Sequence, residues 1–425
     1  MSEHRVIPVS MMLRAGRVKR WREGRGRTSY PPLDTHFSVS IAWRFLRRIL
    51  WRAARVKEVQ IEGLDHLTGI KGQRAVITPN HPTNLDPLVM FHLSRVYGEP
   101  LNYLASRESF SVPVVGWILQ KCGAYSIMRG TVDRQAIKTT RSLLAEKSRK
   151  IVMFPEGLTY GQNDVLMPFH EGVAQFGFWA LEDMAKAGVD APMWYVPVGI
   201  RYAYMRDMSA DVTSAVSRLE EYIGIVPPKG ESVYERLRAV GTSVVEGFEK
   251  AYGVRPEKGD TLDARIARMK DAWVSRTATA VGVEDKPEIP LGDRVRAVIN
   301  ALDRMNFAQD ASEFTKQTMR RRHQETAPLY KDMERAGRFL ATGARYVADD
   351  PSDERYLEVI SRIEEELFGF SQMRGPRRAV VTVGEPIDLR QYLDEYRGSS
   401  RSTVTIVTRV LEERVRELVG TASQR

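Results

Sequence analysis

The chain reads as an α/β protein: a mostly parallel or mixed sheet wrapped by helices, with an all-helical region inserted into it. Three observations predict this. Through the first 200 residues, short apolar runs alternate with stretches of helical periodicity, the pattern of strand–helix–strand units. From about Met205 to Arg374 the strand signal disappears and mainly helical spacing remains, as at Val295, Val298, Ile299 and Leu302. Then Ala379-Val380-Val381-Thr382-Val383 restores a strand, closed by a turn at Gly384-Glu385-Pro386.

Residues 1 to 57 are set apart by charge. The first 60 residues hold fourteen Lys or Arg against four Asp or Glu, so the whole net charge of +10 resides there and the remaining 365 residues are balanced. Arg14 to Arg27 is a dense Arg/Lys run spaced by glycine. His36 to Arg55 follows at helical spacing, with Ala42, Phe45, Leu46, Ile49, Leu50 and Ala53 on one face. Arg44, Arg47, Arg48, Arg52 and Arg55 lie opposite; Trp43 borders the stripe and Trp51 falls among the arginines. This segregation suits a helix lying in an anionic membrane interface, where each basic residue contributes about 1 kcal/mol. An ordinary amphipathic helix packed on the domain has the same pattern. A basic tail also serves nucleic-acid binding, but no other feature supports that use.

The core, residues 58 to 204, carries strand-like runs at Glu58 to Glu62, Arg74 to Thr78, Leu101 to Leu104, Ala124 to Met128, Lys150 to Phe154 and Trp194 to Ile200. Helical segments fall between them: Asp86 to Val96, Val132 to Ser148 and Glu171 to Ala187. His81, Arg129 and Glu156 each stand just after a strand. In open sheets of this kind sites gather at the carboxyl ends of strands, so the three point to one pocket.

His81 and Asp86 are separated by four residues in Asn80-His81-Pro82-Thr83-Asn84-Leu85-Asp86-Pro87, and His81 alone among the seven histidines has an acid at that offset. A turn through Pro82 and Asn84 brings such a pair together. The imidazole is then a general base, with the carboxylate fixing its tautomer and steadying the imidazolium. Clustered metal ligands are not evident, since His92 lies beyond the turn. No Gly-x-Ser-x-Gly elbow marks a serine nucleophile.

Cys122 is the sole cysteine, so no internal disulfide forms and a reducing compartment is expected; it reads as a small buried filler. No apolar run of 18 residues occurs; Phe110 to Gln120 is the nearest and far too short. No signal peptide is recognisable, the early run Val6 to Leu13 being short and interrupted.

Four strings in order resemble the motifs of the glycerolipid acyltransferases, the family that includes bacterial lysophosphatidate acyltransferases. They are Asn80 to Pro87; Gly123-Ala124-Tyr125-Ser126-Ile127-Met128-Arg129; Phe154-Pro155-Glu156-Gly157; and Val196-Pro197-Val198-Gly199-Ile200. The resemblance spans roughly 58 to 204 and, more faintly, 378 to the end. It implies acyl transfer to a hydroxyl of a lysophospholipid-type acceptor, 1-acyl-glycerol-3-phosphate favoured, from acyl-CoA or an acyl carrier protein. No other cofactor is implied. It makes His81 the base and Asp86 its orienter, and sets Arg129 against an anionic headgroup. Phe154, Pro155, Glu156 and Gly157 become the acceptor-binding motif, with Glu156 accepting from a hydroxyl and Gly157 letting backbone come close. Asn80 joins the binding set and braces the loop; Thr83 hydrogen-bonds locally. The family's Gly-Glu-Pro-Ile strand usually follows the fourth motif soon after but here comes about 180 residues after it, so residues 205 to 374 are an inserted helical domain and 375 to 425 complete the core. Two departures bear on the acceptor: Leu158-Thr159-Tyr160 replaces the usual Thr-Arg-Ser, and Met128 stands where an acid is common. A hydroxylated aminolipid or glycolipid acceptor stays open, as does a non-catalytic membrane-binding relative. The expected location is the cytoplasmic side of a membrane, peripherally bound.

Overall fold

The computed structural model describes residues 29–33, 55–110, 112–128, 133–306, 313–339, 343 and 345–423, with 108, 306, 313–324 and 421–423 described by backbone alone. The basic run 14–27 and the membrane-binding set Trp43, Arg44, Arg47, Arg48, Trp51 and Arg52 lie outside these residues, as does Arg129. The chain divides into two compact units. An α/β unit takes in the described residues up to Thr159, then Asn163–Ala203 and Pro376 onward; a helical unit takes in Tyr160–Gln162 and Tyr204–Gly375.

The α/β unit is built on β1 (Val56–Glu62), β2 (Ala75–Pro79), β3 (Asn102–Ser106), β4 (Ala124–Ile127), β5 (Lys150–Val152), β6 (Trp194–Tyr204), β7 (Arg377–Val383) and β8 (Ile387–Asp388). Their order is β1-β7-β6-β2-β5-β3-β4, with β8 antiparallel on β6. The pairings β1·β7, β2·β6, β2·β5, β3·β5 and β3·β4 are parallel. β2 sits at the centre and is buried along its whole length, which explains its unbroken apolar reading: a sheet covered on both faces does not alternate with polar residues. Alternation survives as a choice between two cores. Ala75 and Ile77 join one, with Val152, Val196 and Val381; Val76 joins the other, with Ile151 and Tyr195.

The covering helices are α1 (Leu64–Thr68), α2 (Asp86–Tyr97), α3 (Pro113–Lys121), α4 (Arg134–Arg141) and α5 (Gly172–Lys186). α2 has Pro87 in its first turn, where the missing N–H costs nothing, and ends on left-handed Gly98. The single helix expected over Val132 to Ser148 is instead α4 followed by one π-helical turn, Ser142–Glu146, in which Leu143 and Leu144 are both buried. Two strand ends also differ from expectation. β5 stops at Val152, because Phe154 leaves the sheet, and β6 runs four residues further, to Tyr204.

The helical unit comprises α6 (Ser209–Ile223), α7 (Val233–Tyr252), α8 (Leu262–Val281), α9 (Leu291–Asn306), α10 (Glu313–Arg338), α11 (Tyr346–Asp349) and α12 (Asp353–Phe368). Its helices carry explicit boundaries. Ser232 and Glu235 form a capping box at α7, Thr261 caps α8, and left-handed Gly224, Gly253, Gly282 and Gly369 end α6, α7, α8 and α12. Their apolar stripes close a core separate from those of the sheet, including Leu219, Val240, Phe248, Trp273, Leu302 and Ile360. The chain then returns to the α/β unit through β7 and β8 and ends in α13 (Leu393–Gly398) and α14 (Ser400–Ser423). No helix among the described residues is long and apolar enough to cross a membrane.

Candidate active site

Three neighbouring parallel strands, β6, β2 and β5, bring side chains to one edge of the sheet. β2 ends at Pro79, which cannot donate to the ladder. Asn80 continues the pairing with its side chain: its Nδ2 donates to the Ile200 carbonyl at 2.9 Å and its Oδ1 accepts the Ile200 N–H at 2.6 Å. Both ends of the buried amide are therefore consumed by β6. Asn80 thus braces the strand end that carries His81.

His81 follows directly. Its Nδ1 lies 2.7 Å from Asp86 Oδ2. The side chain of His81 is 15% exposed, whereas that of Asp86 is fully sealed. Asp86 opens α2, where the helix dipole favours a negative charge. Its carboxylate accepts three further bonds: the Thr83 N–H at 2.8 Å on Oδ2, and the Thr83 and Tyr202 hydroxyls at 2.8 and 2.7 Å on Oδ1. A carboxylate so surrounded by donors is an acceptor only. The His81 proton therefore sits on Nδ1, and Nε2 carries a lone pair with no hydrogen-bond partner among the described residues. Phe154 stacks on the imidazole at 4.0 Å between centroids and 24° between planes, holding the ring from its face.

The segment after β5 does something other than expected. Glu156 is 2% exposed. Its Oε1 accepts the His81 N–H at 2.6 Å and its Oε2 accepts the Met167 N–H at 2.9 Å. Each oxygen accepts a backbone N–H, so Glu156 fixes the loop carrying His81. Burial pushes its carboxyl up to about 8, against the pull of the two N–H donors and with the charges of Asp86 and Glu412 adding to the rise. Gly157 has φ +74°, and a Cβ built on it would lie 2.7 Å from His170 Nε2. The close approach that demands glycine is therefore that of His170. This histidine is tied in by its N–H, which donates to the Pro155 carbonyl at 2.9 Å.

Tyr202, beyond the fourth motif on β6, is the residue that reading the sequence misses. It is buried, and its ring lies 5.4 Å from the Arg377 guanidinium carbon. Burial and the Asp86 charge raise its hydroxyl well above the usual range, so it stays a donor to Asp86. Before Arg129, the Met128 N–H is held by Asp133 at 2.8 Å, and Asp133 also caps α4. Cys122 packs against the core, and burial pushes its thiol up to about 11, leaving it protonated and unreactive at neutral pH.

Comparison with known proteins follows the same residues. Residues 58–197 match the family model described as Acyltransferase. Over 90 residues the chain is 30% identical to the 1-acyl-sn-glycerol-3-phosphate acyltransferase of Streptococcus pneumoniae, covering 21% of this chain and 33% of that protein. Over 71 residues it is 32% identical to the lyso-ornithine lipid O-acyltransferase of Pseudomonas aeruginosa, covering 17% and 27%. The matches thus span a third or less of the length of these curated relatives.

Proposed function

We propose that this chain, whose residues 58–197 match the Acyltransferase family model, moves a fatty acyl group from a thioester donor to the hydroxyl of a lysolipid. One observation carries the mechanism: the 2.7 Å contact of His81 Nδ1 with Asp86, which leaves Nε2 without a hydrogen-bond partner among the described residues. In the proposed step Nε2 takes the acceptor's hydroxyl proton as its oxygen attacks the thioester carbonyl. The carbon–sulfur bond then breaks, and the departing thiolate recovers the proton from the imidazolium. Base catalysis of this kind contributes roughly 10²–10⁴-fold. The fixed Asp86 charge opposes the positive charge that appears on His81 and has no need to move. Phe154 supplies an apolar wall that keeps the ring in plane.

The donor is acyl-CoA or an acyl carrier protein, and the favoured acceptor is 1-acyl-glycerol-3-phosphate, with Arg129 meeting its phosphate. A second reading has its own support. Leu158-Thr159-Tyr160 supplies no cation after the third motif, and the Thr159 hydroxyl points to Asn84 at 3.3 Å. One relative is named for a lyso-ornithine lipid. An aminolipid acceptor fits these observations. The charge of the basic segment 1–57 supports a proposed location at an anionic membrane surface, on its cytoplasmic side.

The test is thiol release from acyl-CoA and from acyl carrier protein with a panel of lysolipids. The expected outcome is release with at least one acceptor and a loss of about 10²-fold or more in His81→Ala. Undiminished release in that variant removes His81 as the base. Liposome binding with and without residues 1–57 tests the membrane contact; equal binding by both chains removes the arm from it.

A further inference from the structure

The core of the helical unit is not filled. A cavity of about 80 Å³ opens between α7, α8, α12 and the residues flanking α11. A single water needs roughly 10–15 Å³, and interiors rarely leave voids larger than that. The wall is aliphatic and aromatic, with Val245 and Phe248 from α7, Ile266 and Trp273 from α8, and Val359 and Ile363 from α12. Such a wall offers water few partners and suits an alkyl chain.

Two arginines line this apolar space, and one carboxylate, Asp263, lies against the lining residue Gly343. Arg238 lines the cavity while exposed to solvent, so the space reaches the surface beside a guanidinium that no carboxylate pairs among the described residues. On the inner wall Arg362 is buried, donating to the carbonyls of Arg338 and Tyr160. Lys270, on α8, is pushed down to about 8 by burial and by the Arg362 charge, against the opposing pull of Asp263 and Asp271. Gly241 is the third feature. It lies inside α7, where glycine weakens a helix, yet it lines the cavity and a Cβ on it would meet nothing within 4 Å. Its small size keeps the space open.

We propose that this cavity binds the tail of an aliphatic chain that ends in an anionic group, such as a fatty acid or an acyl thioester, with the head beside Arg238. The site lies wholly in the helical unit and uses no residue of the proposed acyl transfer.

The experiment uses the full chain carrying His81→Ala, so that turnover consumes no probe, and measures binding of oleate, methyl oleate and oleoyl-CoA by calorimetry. Gly241→Leu should fill the cavity, weaken oleate at least about tenfold and leave the thermal midpoint equal or higher, as relief of a helix glycine would. Arg238→Ala should weaken oleate roughly two- to fivefold, the scale of an exposed ion pair, and leave methyl oleate unchanged. Loss of oleoyl-CoA together with oleate in Gly241→Leu assigns the cavity to the thioester's chain as well; loss of oleate alone assigns it to the free acid. Should Gly241→Leu not fold, dibrominated stearate gives a second readout, because a seated chain quenches Trp273 and that quenching is absent in Trp273→Phe. Unchanged affinity and stoichiometry in a folded Gly241→Leu, or no difference on removing Trp273, overturns the proposal. Failure here leaves thiol release untouched, and oleate binding without thiol release leaves the cavity standing.

Discussion

Asp86 accepts four hydrogen bonds, and their division between its two oxygens decides what each substitution does. Oδ2 receives two N–H donors, whereas Oδ1 receives two hydroxyls. Hydroxyls can turn and accept. In Asp86→Asn the amide oxygen takes the place of Oδ2 and the NH₂ that of Oδ1, facing Thr83 and Tyr202. The variant should fold and keep the proton on His81 Nδ1 while lacking the charge. Its kcat should fall on the order of 10²–10⁴-fold with KM little changed, whereas a loss of the fold would show that orientation and stability depend on the charge itself. Glu156 behaves oppositely, since both its oxygens receive N–H donors that cannot turn. Glu156→Gln sets an NH₂ against one of them and should cost about 1–3 kcal/mol in urea unfolding. The pH dependence has a definite sign. With its folded pKa raised to about 8, from the ordinary glutamate value of about 4.5, the stability gained from the protonated Glu156 is complete below about 4.5 and lost as pH rises through about 8. Glu156→Gln lacks that decline, so the gap between wild type and variant should narrow from pH 5 to pH 8; a constant or widening gap would mean the carboxyl is ionised throughout.

Turns and strand ends show both what the sequence discloses and what it hides. The third motif reads as a ligand-binding turn because spacing cannot reveal which atoms are already spent. Glu156 is committed to His81 across 75 residues, and Gly157 exists to clear His170. The expected outcome separates the two demands on Gly157. Gly157→Ala meets both the positive φ, about 1–2 kcal/mol for a non-glycine residue, and the 2.7 Å overlap with His170. In a His170→Ala background only the first cost remains, so a double-mutant cycle on unfolding free energies should show coupling of about 1 kcal/mol or more; additivity would mean that His170 moves freely aside. β2 and the histidine after it were legible because an unbroken apolar run and a local His/Asp spacing lie within a dozen residues. Tyr202 was not, because its role depends on register. Pro79 opposite Val198 puts Asn80 beside Ile200 and brings the next tyrosine level with Asp86, 116 residues away. In the sequence, Tyr202 is one more aromatic residue in a strand.

At the scale of the whole molecule, the legible sign of the insertion was a strand that arrived late, Ala379 to Val383. Its consequence for folding follows from the sheet order. β7 lies between β1 and β6, and β1 pairs with no other strand among the described residues. Residues after Pro376 also fill both cores. Val381 and Val383 enter one; Leu389, Val407, Leu411 and Val415 enter the other. At about 1.5–3 kcal/mol for each buried side chain, these six contribute on the order of 10 kcal/mol, comparable to the whole net stability of a domain, about 5–15 kcal/mol. The helical unit owes nothing to those residues. It has its own core and its own buried ion pairs, Arg335 with Glu366 at 2.9 Å and Arg374 with Glu364 at 2.6 Å. A fragment of residues 204–375, which lacks only Tyr160–Gln162 of the described unit, should therefore fold alone, giving helical circular dichroism and a single urea transition, and should keep any oleate binding that the full chain shows. A fragment of residues 56–203 should not fold until residues 376–423 are supplied, in trans or by a linker. Cooperative unfolding of 56–203 by itself would show that β7 and the two helices after it decorate the sheet; restoration only on adding the C-terminal piece would show that the α/β unit is assembled from both ends of the chain, closing only after the helical unit has been made.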